Sequence, residues 1–233
     1  MEENRAISEA AEKEDIKIYR EEPMSRHTTM RVGGPAAMLA EPRDIRELVS
    51  LVYLAHKNNF RCMVMGNGSN LIFPDEGYRG MVVKTVPHFT GIYLDDNDVI
   101  RAEAGASLAA VANLAAEHGL TGLEFAQGIP GTVGGAILMN AGAYGGELSQ
   151  TVTAVTYLDG EGEEHPLPAA GCEFGYRSSI FARYPDWLIL KAEFSLPQGD
   201  PELYQRLWKL RIRLSRIQNV PTYVIFSNAS LQA

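Results

Sequence analysis

Residues 128–146 read GIPGTVGGAILMNAGAYGG and hold seven of the chain's 22 glycines within 19 positions. Even spreading would place about two there, so the backbone in this stretch must do something that a side chain would prevent. Pro130 stiffens one point of the run Gly128-Ile129-Pro130-Gly131-Thr132-Val133-Gly134-Gly135-Ala136, while its four glycines permit close approach of a flat or charged ligand. Taken alone, the run fits a tight bend in a sheet or the close packing of two backbones equally well.

A second glycine signal alters that balance. Gly66-Asn67-Gly68-Ser69-Asn70 directly follows the apolar run Cys62-Met63-Val64-Met65. Two glycines one residue apart let the chain fold tightly and bring its amides near an anion. Ser69 and Asn70 add side-chain donors. The string is not a Rossmann fingerprint, because Leu71 stands where a third glycine would fall and no one-sided helix follows. A GxxxxGK phosphate loop is missing as well. One such loop is an ordinary turn; two, in different parts of the chain, suggest an extended dinucleotide lying between them.

The organisation around these loops reads as α+β. Residues 1–15 form a polar, frayed helical lead-in, followed by strand-like Ile16–Tyr19 and a turn-rich segment. Pro42 opens a helix with Asp44 in its first turn, where an acid suits the positive end of the helix dipole. Ile45, Leu48, Val49, Val52 and Ala55 recur at three- and four-residue steps and mark its buried face. Strands at 61–65 and 80–84 then suggest an α/β unit with parallel pairing. After Pro87 come strand-like IYLDD, DVIRAEA, VTAVTYLD and LILKAEFSL, with one helix at 107–118 capped by Ser107 and stopped by Gly119. The expected units are a lead-in at 1–15, a two-lobed domain at 16–197 with lobes at about 16–86 and 87–197, and a separate segment at 198–233. In that segment Leu203, Leu207, Leu210 and Leu214 line one face of a helix. Its Arg206, Lys209, Arg211, Arg213 and Arg216 read as a solvated basic face.

Charge and cysteine usage narrow the function. The formal net charge of −8 argues against a dedicated nucleic-acid partner, though backbone amides could still hold one small phosphorylated ligand. The two cysteines, Cys62 and Cys172, have no metal-ligand spacing, and the five histidines are scattered, so no metal site is expected. The acidic start MEENRAISEAAEKED has no apolar core for a secretory signal, and no apolar stretch of about 18 residues exists for membrane insertion. The expectation is a cytoplasmic, reduced protein.

Four strings now combine: HTTMRVGGPA (27–36), GNGSNLIF (66–73), GLEFAQGIPGTVGGAILMNAGAYGGE (122–147) and FGYRSSIF (174–181). In order and spacing they resemble the UDP-N-acetylenolpyruvoylglucosamine reductases, flavoenzymes of peptidoglycan precursor synthesis, over about residues 16–195. The resemblance implies an α+β, two-lobed FAD-binding fold of the vanillyl-alcohol oxidase, or PCMH, type. It implies noncovalent FAD, NADPH as reductant and a nucleotide-sugar substrate. It also implies that Gly66, Asn67, Gly68, Ser69 and Asn70, with Gly128, Pro130, Gly131, Thr132, Gly134, Gly135 and Ala136, line the diphosphate and flavin. Tyr176 and Arg177 would meet the substrate, and Arg177 matches the family's catalytic arginine. A fixed guanidinium can stabilise the enolate-like charge that grows on the substrate's carboxylate. Without the surrounding motif, Arg177 would be an unremarked surface arginine between strands.

The resemblance stops near residue 216. The family continues into a third, substrate-binding domain that supplies a proton-donating serine, in a glycine-serine-aromatic string, and a late glutamate. The helix at 201–216 matches the start of that domain, but RIQNVPTYVIFSNASLQA (216–233) does not continue it, and Ser227 and Ser230 lack the required neighbours. Residues 198–233 are therefore expected to be a remnant of that domain, as a frameshift or gene fragment would leave. Loss of a general acid costs about a hundred- to ten-thousandfold in rate. The chain is expected to bind FAD and turn over poorly, the alternative being a silent FAD-binding module or gene fragment. A different FAD oxidoreductase on the same scaffold is disfavoured by YRSSIF.

Overall fold

The structure is a computed structural model that describes residues 7–9, 11–12 and 15–220, without the side chains of residues 201, 203, 204, 207 and 208. Two sheets divide it. The first contains β1 (Lys17–Pro23), β2 (Pro35–Glu41), β3 (Cys62–Met65) and β4 (Tyr78–Lys84) in the order β1-β2-β4-β3. Strands β2, β4 and β3 run parallel, and β1 pairs antiparallel on the β2 edge. The second, wholly antiparallel sheet has the order β10-β9-β11-β6-β5. Its strands are β5 (Ile92–Leu94), β6 (Val99–Glu103), β9 (Val152–Leu158), β10 (Glu164–Pro168) and β11 (Leu188–Ser195). Between β6 and β9 lie α2 (Leu108–Glu117), α3 (Val133–Leu138) and the two-stranded ribbon β7 (Gly142–Ala143) and β8 (Gly146–Glu147).

Helix α1 (Ile45–Lys57) crosses between β2 and β3 and starts three residues later than Pro42 suggests. Asp44 is extended and its carboxylate accepts the Glu47 N–H at 2.9 Å, so the acid caps the helix from outside its first turn. Its buried face is Leu48, Leu51 and Ala55, while Ile45 is 42% exposed. Helix α2 keeps its expected span and inward Leu108, Val111 and Ala115, with Gly119 left-handed at its end. Ser107 stands at the cap position without a side-chain bond; the Leu108 N–H instead donates to Gly131 O at 3.0 Å.

The larger core packs Ile100, Leu108, Val111, Val133, Ile137, Val155 and Phe194 between the second sheet and α2 and α3. A second core joins the sheets: Met38, Leu48, Leu51 and Met81 from the first lobe touch Leu158, Leu188 and Leu190 from the second. Within the expected helical lead-in at 1–15, the described residues are helical at 7–9 and 11–12, and Ile7 and Ala11 differ from a frayed polar segment by being fully buried in this joint core. Two apolar side chains on one face outweigh a polar composition. Phe194, on the central β11, is the largest of the fully buried side chains among the described residues. Phe194→Ala is expected to lower unfolding free energy by about 3–5 kcal/mol, measured by denaturant titration of the flavin-loaded protein.

The last helix, α4 (Pro201–Gln218), corrects the solvated-face reading at one position. Arg206, Lys209, Arg213 and Arg216 are exposed, but Arg211 is only 4% exposed and donates to Gln127 Oε1 at 3.2 Å. Of the expected leucine face, Leu210 is exposed and Leu214 half-buried, whereas the Leu203 and Leu207 side chains lie outside the described set.

Candidate functional site

Strand β3 delivers the chain at Met65 straight into the first glycine loop. Gly68 is left-handed (φ +61°), and a Cβ there would stand 2.3 Å from His27 O, so a side chain is doubly excluded. Gly68 O in turn accepts the Thr29 N–H at 3.2 Å. The His27 ring is fixed between Glu22 Oε1 at 3.0 Å and Lys84 Nζ at 3.3 Å. Residues 27–29 thus form a wall under the loop, a role the sequence reading did not assign them. The backbone N–H groups of Gly66, Asn67, Gly68, Ser69 and Asn70 find no acceptor in the described protein, nor do the side chains of Asn67, Ser69 and Asn70 find partners. Five consecutive donors, one of them on buried Gly68, are thus left without a partner in the described protein, where buried backbone N–H groups are ordinarily paired.

The second glycine stretch is not all loop. Thr132 is extended at the cap position and Val133–Leu138 form α3. Gly134 explains the helix's seat: a Cβ there would lie 3.0 Å from Ala104 Cβ, and its N–H donates to Ala104 O at 2.8 Å. The Val133 N–H goes to Ala106 O at 2.9 Å, and the Ala136 N–H to Thr132 O at 2.9 Å. The amides of Gly134 and Ala136 are therefore committed to the fold, and their contribution is packing. Gly128 and Gly135 face space instead: an added Cβ at Gly128 meets nothing within 4 Å, and one at Gly135 meets only Thr132 Oγ1 at 3.7 Å. The N–H groups of Thr132 and Gly135 have no acceptor in the described protein. Pro130 lies exposed beside them.

The two loops meet, although they come from different sheets. A Cβ on Gly66 would stand 2.2 Å from Thr132 Oγ1, and one on Gly131 would stand 3.8 Å from Ser69 Oγ. Unpaired amides from both lobes therefore share one seam.

Helix α3, about 9 Å long at 1.5 Å per residue, leads from this seam to the predicted arginine. Ser179 Oγ donates to Leu138 O at 2.9 Å, and Asn140 Nδ2 donates to Gly175 O at 3.0 Å. Between those anchors the chain makes a tight turn in which Gly175 and Ser178 exchange backbone bonds of 3.0 and 3.2 Å. Tyr176 and Arg177 sit at its tip, with Tyr176 91% exposed and Arg177 left-handed at φ +52°. A left-handed arginine costs about 1–2 kcal/mol, and such residues persist where surrounding bonds over-determine them. The Arg177 side chain makes no hydrogen bond or ion pair with the described residues and is presented to solvent.

Other reactive groups lie elsewhere. Burial pushes the Cys62 thiol up to about 12, with the nearby Asp186 carboxylate adding to the effect, and pushes the Cys172 thiol up to about 11. Neither is a thiolate near neutral pH. Among the described residues, no three or more His, Cys, Asp or Glu side chains gather as metal ligands, and no helix is long and apolar enough to cross a membrane.

This geometry agrees with comparisons to known proteins. The family profile described as the FAD binding domain matches residues 36–167, more than half of the chain. The UDP-N-acetylenolpyruvoylglucosamine reductase of Caldanaerobacter subterraneus subsp. tengcongensis is 44% identical over 186 residues, covering 80% of this chain and 61% of the relative. The crystal structure of the reductase from Thermus caldophilus superposes with a TM-score of 0.69 at 30% identity, covering 86% of this chain and 69% of that one. The chain belongs to the FAD binding domain family, and within it to the UDP-N-acetylenolpyruvoylglucosamine reductases. It shares the reductases' two-lobed fold more widely: p-cresol methylhydroxylase superposes with a TM-score of 0.61 over 86% of this chain and 44% of that one, at 12% identity, a likeness of fold alone. The chain spans about 61% of the length of the curated reductase it matches. A second profile, the HRDC domain, matches residues 200–233, where the reductase strings end.

Proposed function

We propose that this chain supplies the FAD-binding core of a reductase that converts UDP-N-acetylglucosamine enolpyruvate to UDP-N-acetylmuramate with NADPH, in the cytoplasm. The observation that carries the reading is the row of five unpaired amides at Gly66–Asn70 on a loop that meets the loop carrying the unpaired amides of Thr132 and Gly135. A diphosphate is the ligand that such donors fit: two adjacent anionic groups, approached closely because the loop side chains are missing. Gly66, Asn67, Gly68, Ser69 and Asn70 would hold one end of FAD. Gly128, Pro130, Gly131, Thr132 and Gly135 would line the other, with Gly134 and Ala136 shaping the seat from behind.

FAD, when bound, supplies the hydride chemistry between NADPH and the enolpyruvyl double bond. This chain's own part is to orient and to stabilise charge. Arg177, at the tip of its turn, would face the substrate carboxylate with paired N–H donors and stabilise the negative charge that develops there. Tyr176 would flank the same group. The chemistry of the candidate tethers supports noncovalent attachment. His27 is held by Glu22 and Lys84, and both cysteines resist forming thiolates.

Purified protein is expected to be yellow, and acid precipitation should release the flavin into the supernatant. Colourless folded protein that takes up no added FAD would sink the proposal, and yellow precipitate would sink noncovalent attachment. A second reading, an FAD-binding module that does not turn over, is favoured by one finding. Residues 200–233 match the HRDC profile, which supports a segment of different kinship there better than a remnant of the substrate-binding domain. Mixing the yellow protein with NADPH and the enolpyruvyl nucleotide and following NADPH absorbance separates the two.

A further inference from the structure

One side of the turn that carries Arg177 is hung on a buried amide. Asn140 is 2% exposed and left-handed (φ +39°), at the point where α3 ends. Its Nδ2 donates to Gly175 O at 3.0 Å, and its Oδ1 accepts the Ser149 N–H at 3.0 Å. One side chain thereby ties the arginine turn to the segment that follows the β7–β8 ribbon. The ribbon itself is tightly specified: Ala143 pairs with Gly146 around Tyr144 and Gly145, both at positive φ, the signature of a two-residue hairpin turn. Glu147 closes the ribbon and caps the next turn reciprocally with Gln150. Its carboxylate accepts the Ser149 hydroxyl at 2.5 Å. The Ser149 hydroxyl and then the Asn140 side chain hold that carboxyl below the usual range, and the positive charge of Arg177 acts on it in the same direction.

We infer that Asn140 is the positioning residue for Arg177, clamping the Gly175–Ser178 turn to the segment that follows the β7–β8 ribbon. The inference rests on the catalytic reading of Arg177 proposed above. The physical logic is that Arg177 stands exposed, without a hydrogen bond of its own to the described residues, so its aim depends on the backbone that carries it. That backbone has two struts to α3. The Ser179 bond to Leu138 fixes the far side, and the Asn140 bond to Gly175 fixes the near side. Removing the near strut frees the tip to swing while the cofactor seam, at the opposite end of α3, stays intact.

The test uses the full chain loaded with FAD, as Asn140→Ala and Asn140→Asp. The aspartate keeps the volume and the acceptor for Ser149 but loses the donor to Gly175, so it reports on the strut even if the alanine variant folds poorly. Two readouts are needed. The first is the Arg177 Nε–H resonance in arginine-labelled protein, which should move or broaden in both variants. The second is single-turnover reoxidation of the reduced protein by the enolpyruvyl nucleotide. Its maximal rate is expected to fall about ten- to a hundredfold, with flavin content and the half-saturating concentration nearly unchanged. A purely structural role would lower flavin content or stability and leave that rate-against-saturation split absent. An unmoved Arg177 resonance with a native rate, in a background where Arg177→Ala is slow, overturns the positioning inference alone. If Arg177→Ala reoxidises as fast as the native chain, the catalytic reading fails instead, and the resonance still decides whether Asn140 aims the side chain.

Discussion

Gly66→Ala is expected to yield a folded protein that has lost most of its flavin. The added methyl would stand 2.2 Å from Thr132 Oγ1, 2.7 Å from its Cγ2 and 3.0 Å from its Cβ. Those atoms belong to the opposite lobe, so relief moves the two glycine loops apart, and separation disperses the unpaired amides they carry. Overpacking of this kind costs about 1–3 kcal/mol, which corresponds to roughly five- to 150-fold in FAD affinity. The ratio of flavin to protein absorbance after gel filtration reads the loss directly. Thr132→Ala in the same molecule removes the two nearest atoms and leaves only a 3.0 Å contact, so the double variant should recover much of its colour. Such coupling is the mark of neighbours in contact. A single variant that purifies as yellow as the native chain would show that the seam does not hold the cofactor.

Arg177→Ala should leave the flavin in place and slow reoxidation of the reduced protein by the enolpyruvyl nucleotide about a hundred- to a thousandfold, the usual effect of deleting one donor aimed at developing charge. Arg177→Lys should recover only part of that rate, because an ammonium cannot present two parallel N–H groups to a carboxylate. Arg177→Gly is informative in a different way. Glycine accepts φ +52° without strain, so the turn should persist with its side chain gone. Stopped-flow absorbance of the flavin measures all three. Equal rates for the native chain and Arg177→Gly would remove the guanidinium from the mechanism.

Much of the site was legible because glycine leaves a mark that composition cannot hide. The two loops were visible as clusters, and their meeting across the lobes followed from asking what a dinucleotide would need. Within the clusters, however, glycines with opposite duties look alike. Gly134 is missing a side chain because Ala104 lies against it, whereas Gly128 is missing one that would enter open space. Only coordinates distinguish those cases. Helix α3 was unreadable for a related reason: Val133-Gly134-Gly135-Ala136 has poor helix propensity, and tertiary contacts with Ala104 and Ala106 override it. Strand β2 escaped notice because Pro35–Glu41 carries little β-branched character, its pairing with β1 and β4 doing what propensity does not. Asn140 was invisible as a strut because its two partners, at 149 and 175, are far apart in sequence. Arg177, by contrast, entered through resemblance; nothing in its own spacing singles it out.

The joint between Gly66 and Thr132 has a mechanical meaning as well. Each half of the molecule offers unpaired backbone donors near that line, and a donor cannot satisfy another donor. A doubly charged guest lodged between them acts as mortar, turning mutual electrostatic distaste into shared attraction. The two lobes are otherwise joined by the apolar seam that includes Leu48, Leu51 and Leu190, and a guest filling the crevice would turn two leaning walls into an arch.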